Sequence, residues 1–150
     1  MTPFILGIAS DHAGFSLKSA LIAHLESNGI RVKDFGPTEA KRCDYPDFAH
    51  TVCEAVQKGT VQMGLLVCGT GVGMSITANK HIGIRAAVVS DVFSARATKQ
   101  HNDANILCLG ERVVGVGLAQ NIVDAWLAAT FEGGRHQGRI DKMMSWEQNR

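Results

Sequence analysis

What most constrains the fold is an alternation of two kinds of segment along the chain. Segments at Phe4–Ala9, Arg31–Asp34, Gly64–Val67, Ala86–Val89 and Ile106–Leu109, mostly short apolar runs, read as strands. They lack clean in-and-out alternation, as expected where both faces of a sheet are covered. Helical patterns lie between them. Phe15, Leu17, Leu21, Ile22 and Leu25 keep the helical period and stop at Asn28-Gly29; Phe48, Val52, Ala55 and Val56 repeat it and stop before Gly59. Further helices are expected over Val72–Asn79, Val92–His101, Leu118–Ala129 and beyond Gly138. Such an order predicts an α/β fold: a mostly parallel five-stranded sheet with right-handed crossovers and helices on both faces, a three-layer sandwich.

The 150 residues fit one domain, residues 1–150, long enough to bury roughly two-thirds of the surface of the unfolded chain. With 45% hydrophobic residues, 19% charged and a net charge of +1, the chain is neither disordered nor a strongly basic binder, so nucleic acid is not an expected partner. The opening MTPFILGIASDH has no charged leader, and its apolar run is too short to span a bilayer. Neither a membrane partner nor export is expected. Cys43, Cys53, Cys68 and Cys108 form no CxxC pair, which argues against a zinc site of the usual spacing and against a redox motif. A reduced, cytoplasmic protein is the simplest reading, though four cysteines do not forbid a disulfide. The longest polar break, GPTEAKRCDYP at 36–46, is short enough for a functional loop.

Ligands of open parallel sheets bind beyond the carboxyl ends of the strands. That directs attention to Ser10-Asp11-His12, Cys68 to Gly73, Ser90-Asp91 and Gly110-Glu111-Arg112. Gly69, Gly71 and Gly73 precede a helix start, so backbone N–H groups there can converge on an anion. The turn is no Walker loop, and its GxGxG differs from the GxGxxG of dinucleotide sites. Asp91, 22 residues after Gly69, still leaves a nicotinamide or nucleotide reading open. So does the plainer reading, a glycine turn that only lets helix and strand pack closely.

Cys68 adds chemistry to that turn. A thiol at a helix start is pushed toward thiolate, able to act as nucleophile or as a base for a carbon-bound proton, and nearby donors would stabilise an enediolate. The plainer alternative is a small core hydrophobe, the role assigned to Cys43, Cys53 and Cys108. Asp11-His12 offers a carboxylate for sugar hydroxyls and a general acid, or equally a helix cap. His101-Asn102 ends a helix, where a histidine also suits the dipole. Arg135 and Arg139, four apart, would share a helix face and suit a phosphate, although a solvated basic turn explains them as well.

At these residues the chain resembles the type B ribose-5-phosphate isomerases and their relatives acting on other sugar phosphates. The resemblance spans nearly the whole length and is carried by SDHAGF at 10–15, DYPDFA at 44–49, CGTGVGMSITANK at 68–80, GIRAAVVSD at 83–91, QHNDANIL at 100–107, GERVVG at 110–115 and IVDAWLAATFEGGRHQGR at 122–139. It implies a Rossmann-like α/β sandwich that forms a homodimer with each active site built from two chains, and it leaves further pairing into a tetramer open. By the same resemblance, Cys68 is the base that moves a proton between C1 and C2, while Gly69, Thr70, Gly71, Val72 and Gly73 hold the enediolate.

His101 would help open the sugar ring, Asp11 and Asn102 would engage sugar oxygens, and Tyr45 would lie at the pocket rim. His12, Arg112, Arg135 and Arg139 would surround the phosphate, and residues from about 131 to 150 would supply phosphate and dimer contacts. No role is assigned to His136. The family needs no metal and no nucleotide cofactor, which would release Asp91 from a nicotinamide role. One branch uses a glutamate just after the glycine turn; Met74 stands there, so this chain matches the cysteine branch. Another branch divides the site residues between unlike subunits, whereas this chain carries the full set. The expected activity is interconversion of ribose 5-phosphate and ribulose 5-phosphate through a cis-enediol, with four- and six-carbon sugar phosphates as alternative substrates.

Overall fold

The computed structural model describes residues 2–149, so the first residue of the N-terminal stretch and the last of the tail lie outside it. Five strands, β1 (Ile5–Ser10), β2 (Arg31–Asp34), β3 (Met63–Cys68), β4 (Ala86–Val88) and β5 (Ile106–Gly110), form one sheet in the order β2-β1-β3-β5-β4. All four pairings are parallel, so the sheet is wholly rather than mostly parallel. Among the described residues, six α-helices accompany it: α1 (Phe15–Ser27), α2 (Tyr45–Gln57), α3 (Val72–Ala78), α4 (Val92–Asn102), α5 (Val116–Ala128) and α6 (Arg135–Ser145).

The direction of each crossover decides which face its helix covers. Right-handed connections that step one way along the sheet put α1 and α4 on one face, and those that step the other way put α2 and α3 on the opposite face. Two buried clusters result. Leu17, Leu21, Leu25, Ile122, Val123 and Trp126 pack with Ile8, Leu65 and Leu107 on the α1/α4/α5 side. Val52, Cys53, Met74 and Ala78 pack with Ala9, Leu66 and Cys108 on the α2/α3 side. Alternate residues of the central strands thus feed opposite cores, which explains why their sequences are apolar throughout.

The chain reverses its winding between β1 and β3: β1 connects outward to β2, whereas β3 connects past β5 to β4. Their carboxyl ends therefore diverge, and the crevice between diverging connections is where such sheets take ligands. Two backbone bonds fix the rim, from Asp11 N to Val67 O at 3.2 Å and from Ser10 N to Gly36 O at 3.0 Å. The helix expected beyond Gly138 begins earlier, at Arg135, because His136 and Ile140, four apart, both find buried positions. Among the described residues, no helix is long and apolar enough to cross a membrane.

Candidate active site

A cavity of about 510 Å³ opens at the crevice. Asp11 and His12 reach it from β1, Cys68, Gly69 and Thr70 from β3, Val72 and Gly73 from α3, Tyr45 from the start of α2, and Arg112 from beyond β5. Ala13 and Ile76 complete the lining; neither was singled out in the sequence, although Ile76 follows Val72 by one helical turn and shares its face.

Cys68 is 5% exposed, and its sulfur accepts a hydrogen bond from the Gly71 N–H at 3.0 Å. That contact strengthens if the sulfur carries negative charge. Gly71 can deliver it because its φ is +79°, a left-handed conformation that costs glycine nothing. The turn is thus less an open ring of amides than the glycine spacing implies: the Gly71 amide is turned to the sulfur, and the Val72 N–H donates to Thr70 Oγ1 at 3.2 Å. Helix α3 has only seven residues, so local amides rather than a long helix dipole shape this corner.

Gly73 has a different duty. A Cβ there would meet the Tyr45 ring at 2.6 Å, so the missing side chain lets the ring close over the turn. Arg112 is latched by its N–H to Gly69 O at 3.0 Å, and Glu111 N–H bonds Cys68 O at 2.9 Å, which ties the end of β5 to the end of β3.

Asp11 is buried and accepts from the N–H groups of Ala13 at 2.9 Å and Gly14 at 3.1 Å, so it does cap the turn leading into α1 while lining the cavity. His12 Nδ1 lies 3.2 Å from both the amide nitrogen and the carbonyl oxygen of Cys43. Cys43 is accordingly half-exposed on the loop before α2 and not the core residue expected from its type; its main chain holds the imidazole. Cys53 and Cys108 are core residues: burial pushes the Cys53 thiol up to about 12 and raises that of Cys108 as well. All four cysteines are free.

His101, Asn102, Arg135 and Arg139 do not line this cavity within one chain. His101 ends α4 and stacks on His136, ring centroids 4.4 Å apart and planes 15° from parallel. Its Nε2 lies 3.4 Å from Glu132 Oε1, a carboxylate that no sequence pattern singled out. Burial, and after it the Arg135 charge, holds His136 below the ordinary imidazole value. Arg135 and Arg139 stand on the exposed side of α6, while His136 and Ile140 turn inward. Asp91 caps α4 by accepting from Ser94 N–H at 2.6 Å, and Met74 is fully buried beneath the glycine turn.

The sequence profile of a family described as Ribose/Galactose Isomerase matches residues 6–143. The chain belongs to that family. This isomerase-family chain is 51% identical over 145 residues to ribose-5-phosphate isomerase B of Escherichia coli K12, covering 97% of each protein. Among solved structures, ribose-5-phosphate isomerase B of Clostridium thermocellum superposes with a TM-score of 0.96 at 50% identity, covering 97% of this chain and 99% of that one. The Mycoplasma genitalium enzyme of the same name, solved with bound ribulose-5-phosphate, gives a TM-score of 0.94 at 43% identity over 100% of both chains. The family match spans residues 6–143, which include every strand end that lines the cavity.

Proposed function

We propose that this protein is an aldose–ketose isomerase that interconverts ribose 5-phosphate and ribulose 5-phosphate through a cis-enediolate, with Cys68 as base. The observation that carries the reading is the position of Cys68: a thiol at the floor of the switch-point cavity, with the Gly71 N–H on its sulfur. Its thiolate takes the proton from C2 of the open-chain aldose and returns it to C1, and Thr70 with the nearby amides of the glycine turn stabilises the oxygen charge that develops. Asp11 and Tyr45 engage the sugar, and His12 and Arg112 approach its phosphate end.

The remaining roles are supplied by a second copy. His101 opens the ring, Asn102 binds a sugar oxygen, and Arg135 and Arg139 on the tail clamp the phosphate. Two facts support a homodimer with shared sites. These four residues lie away from the Cys68 cavity of their own chain, and Val72, Ile76, Val88 and Phe93 expose apolar side chains around α3, the β4 edge and the start of α4.

Bound ribulose-5-phosphate in the Mycoplasma genitalium relative supports the five-carbon substrate. The test is to compare kcat/KM for ribose 5-phosphate with that for four-carbon and six-carbon aldose phosphates. Preference for ribose 5-phosphate is expected. Preference for a six-carbon sugar would overturn the substrate but not the reaction, and no isomerisation of any of them by folded protein would overturn both.

A further inference from the structure

Three metal-ligating side chains from three segments meet at the edge of α6. His101 comes from the last turn of α4, Glu132 from the loop after α5, and His136 from the first turn of α6; one ligand atom of each lies within 4.8 Å of the others. Glu132 Oε1 is 3.4 Å from His101 Nε2 and 4.0 Å from His136 Nε2. A charge-assisted hydrogen bond would draw such atoms to about 2.7–2.9 Å. Ligands 2.0–2.2 Å from a tetrahedral zinc ion stand about 3.3–3.6 Å from one another. The His101–Glu132 separation matches that of ligands around an ion, whereas the His136–Glu132 separation is wider, so the half-exposed Glu132 carboxylate must move toward His136 to share one.

The donor set also fits, since two imidazoles and one carboxylate with an open fourth position suit zinc-like ions. The ring nitrogens' lone pairs lie in two nearly parallel planes and cannot converge on one point, so one ring must turn to share an ion. His101, with a side chain 42% exposed, has room to turn, whereas His136, 7% exposed, is the fixed ligand. The Arg135 and Arg139 charges act on His136 and disfavour a bare cation, so an anion in the fourth position is needed to offset them.

We infer that His101, Glu132 and His136 form a binding site for a divalent transition-metal ion of the zinc class. The ion is not needed for the reaction; it takes up the imidazole of His101 and so inhibits. The inhibition rests on the ring-opening role proposed for His101, and the binding does not.

Cobalt(II) added to the metal-free full-length protein gives the first readout. Ligand-field bands at one ion per chain, displaced by zinc and without a thiolate charge-transfer band, are expected. A thiolate band would overturn the site, because the metal would then sit on a cysteine. Zinc affinity by equilibrium dialysis gives the second: it should persist in Cys68→Ala and fall at least ~10-fold in Glu132→Gln and in His136→Asn. Unchanged affinity in either of those two variants, with native circular dichroism, would overturn the site. Zinc should also slow isomerisation reversibly, with recovery in EDTA. One zinc bound at the triad with undiminished turnover would overturn the inhibition and the reading of His101, while the binding site would stand.

Discussion

Gly71 meets two constraints at once, a φ of +79° and a place so close to β5 that a Cβ would sit 2.9 Å from the Leu109 carbonyl carbon. Gly71→Ala should therefore destabilise the fold by about 1–3 kcal/mol, seen as a lower urea midpoint, and should lose turnover as the amide leaves the sulfur. Arg139→Ala should mainly raise KM, because a phosphate clamp acts alike on ground and transition states; an equal fall in kcat and kcat/KM would instead place Arg139 on the transition state. Much of this was legible from the sequence, since the rule for parallel sheets directs attention to strand ends and the glycine spacing marks the turn. What a sequence could not display is how individual amides are spent. Nothing in GTGVG tells that one N–H turns to the sulfur, or that Cys43 acts through its main chain to hold His12, 31 residues away.

At the scale of elements, the caps matter most where they aim functional loops. Asp91 starts α4, the helix that ends in His101, and the hydrogen bond from the Ser94 N–H, ahead of that with the Ser94 side chain, holds its carboxyl below the ordinary value. A depressed folded value stabilises the protein above the unfolded value and loses that contribution as pH falls through the folded one. Asp91→Ala should thus lower the thermal midpoint near neutral pH, and the gap to the unsubstituted protein should close below about pH 4. A constant gap across that range would mean that capping there does not depend on charge. Strand positions were legible because each central strand feeds two cores and must be apolar throughout, and the β2 limits agree. The start of α6 was not, since its buried face has only His136 and Ile140 to mark it. Lys18 was equally hidden: it is 1% exposed, held by Asp34 at 2.9 Å and the Pro37 carbonyl at 2.7 Å. Pairings across many residues leave no local pattern.

For the whole molecule, the separation of Cys68 from His101 and the tail arginines carries the dimer proposal, and it has a direct test. Cys68→Ala and His101→Ala proteins should each be nearly inactive alone. Mixed and refolded together, they should recover up to about a quarter of the normal activity, because half the dimers are hybrids with one intact site of two. No recovery despite hybrid formation would mean that each chain builds its own site. The central claim, that Cys68 moves the proton between C1 and C2, is tested most directly in deuterium oxide. Ribose 5-phosphate would be followed by NMR with the protein and with Cys68→Ala, both in EDTA. Isomerisation with deuterium entering the sugar is expected in the intact protein, and loss of both together, by about 10²–10⁴-fold, in the variant. Isomerisation and exchange at the normal rate in a folded Cys68→Ala protein would contradict that claim.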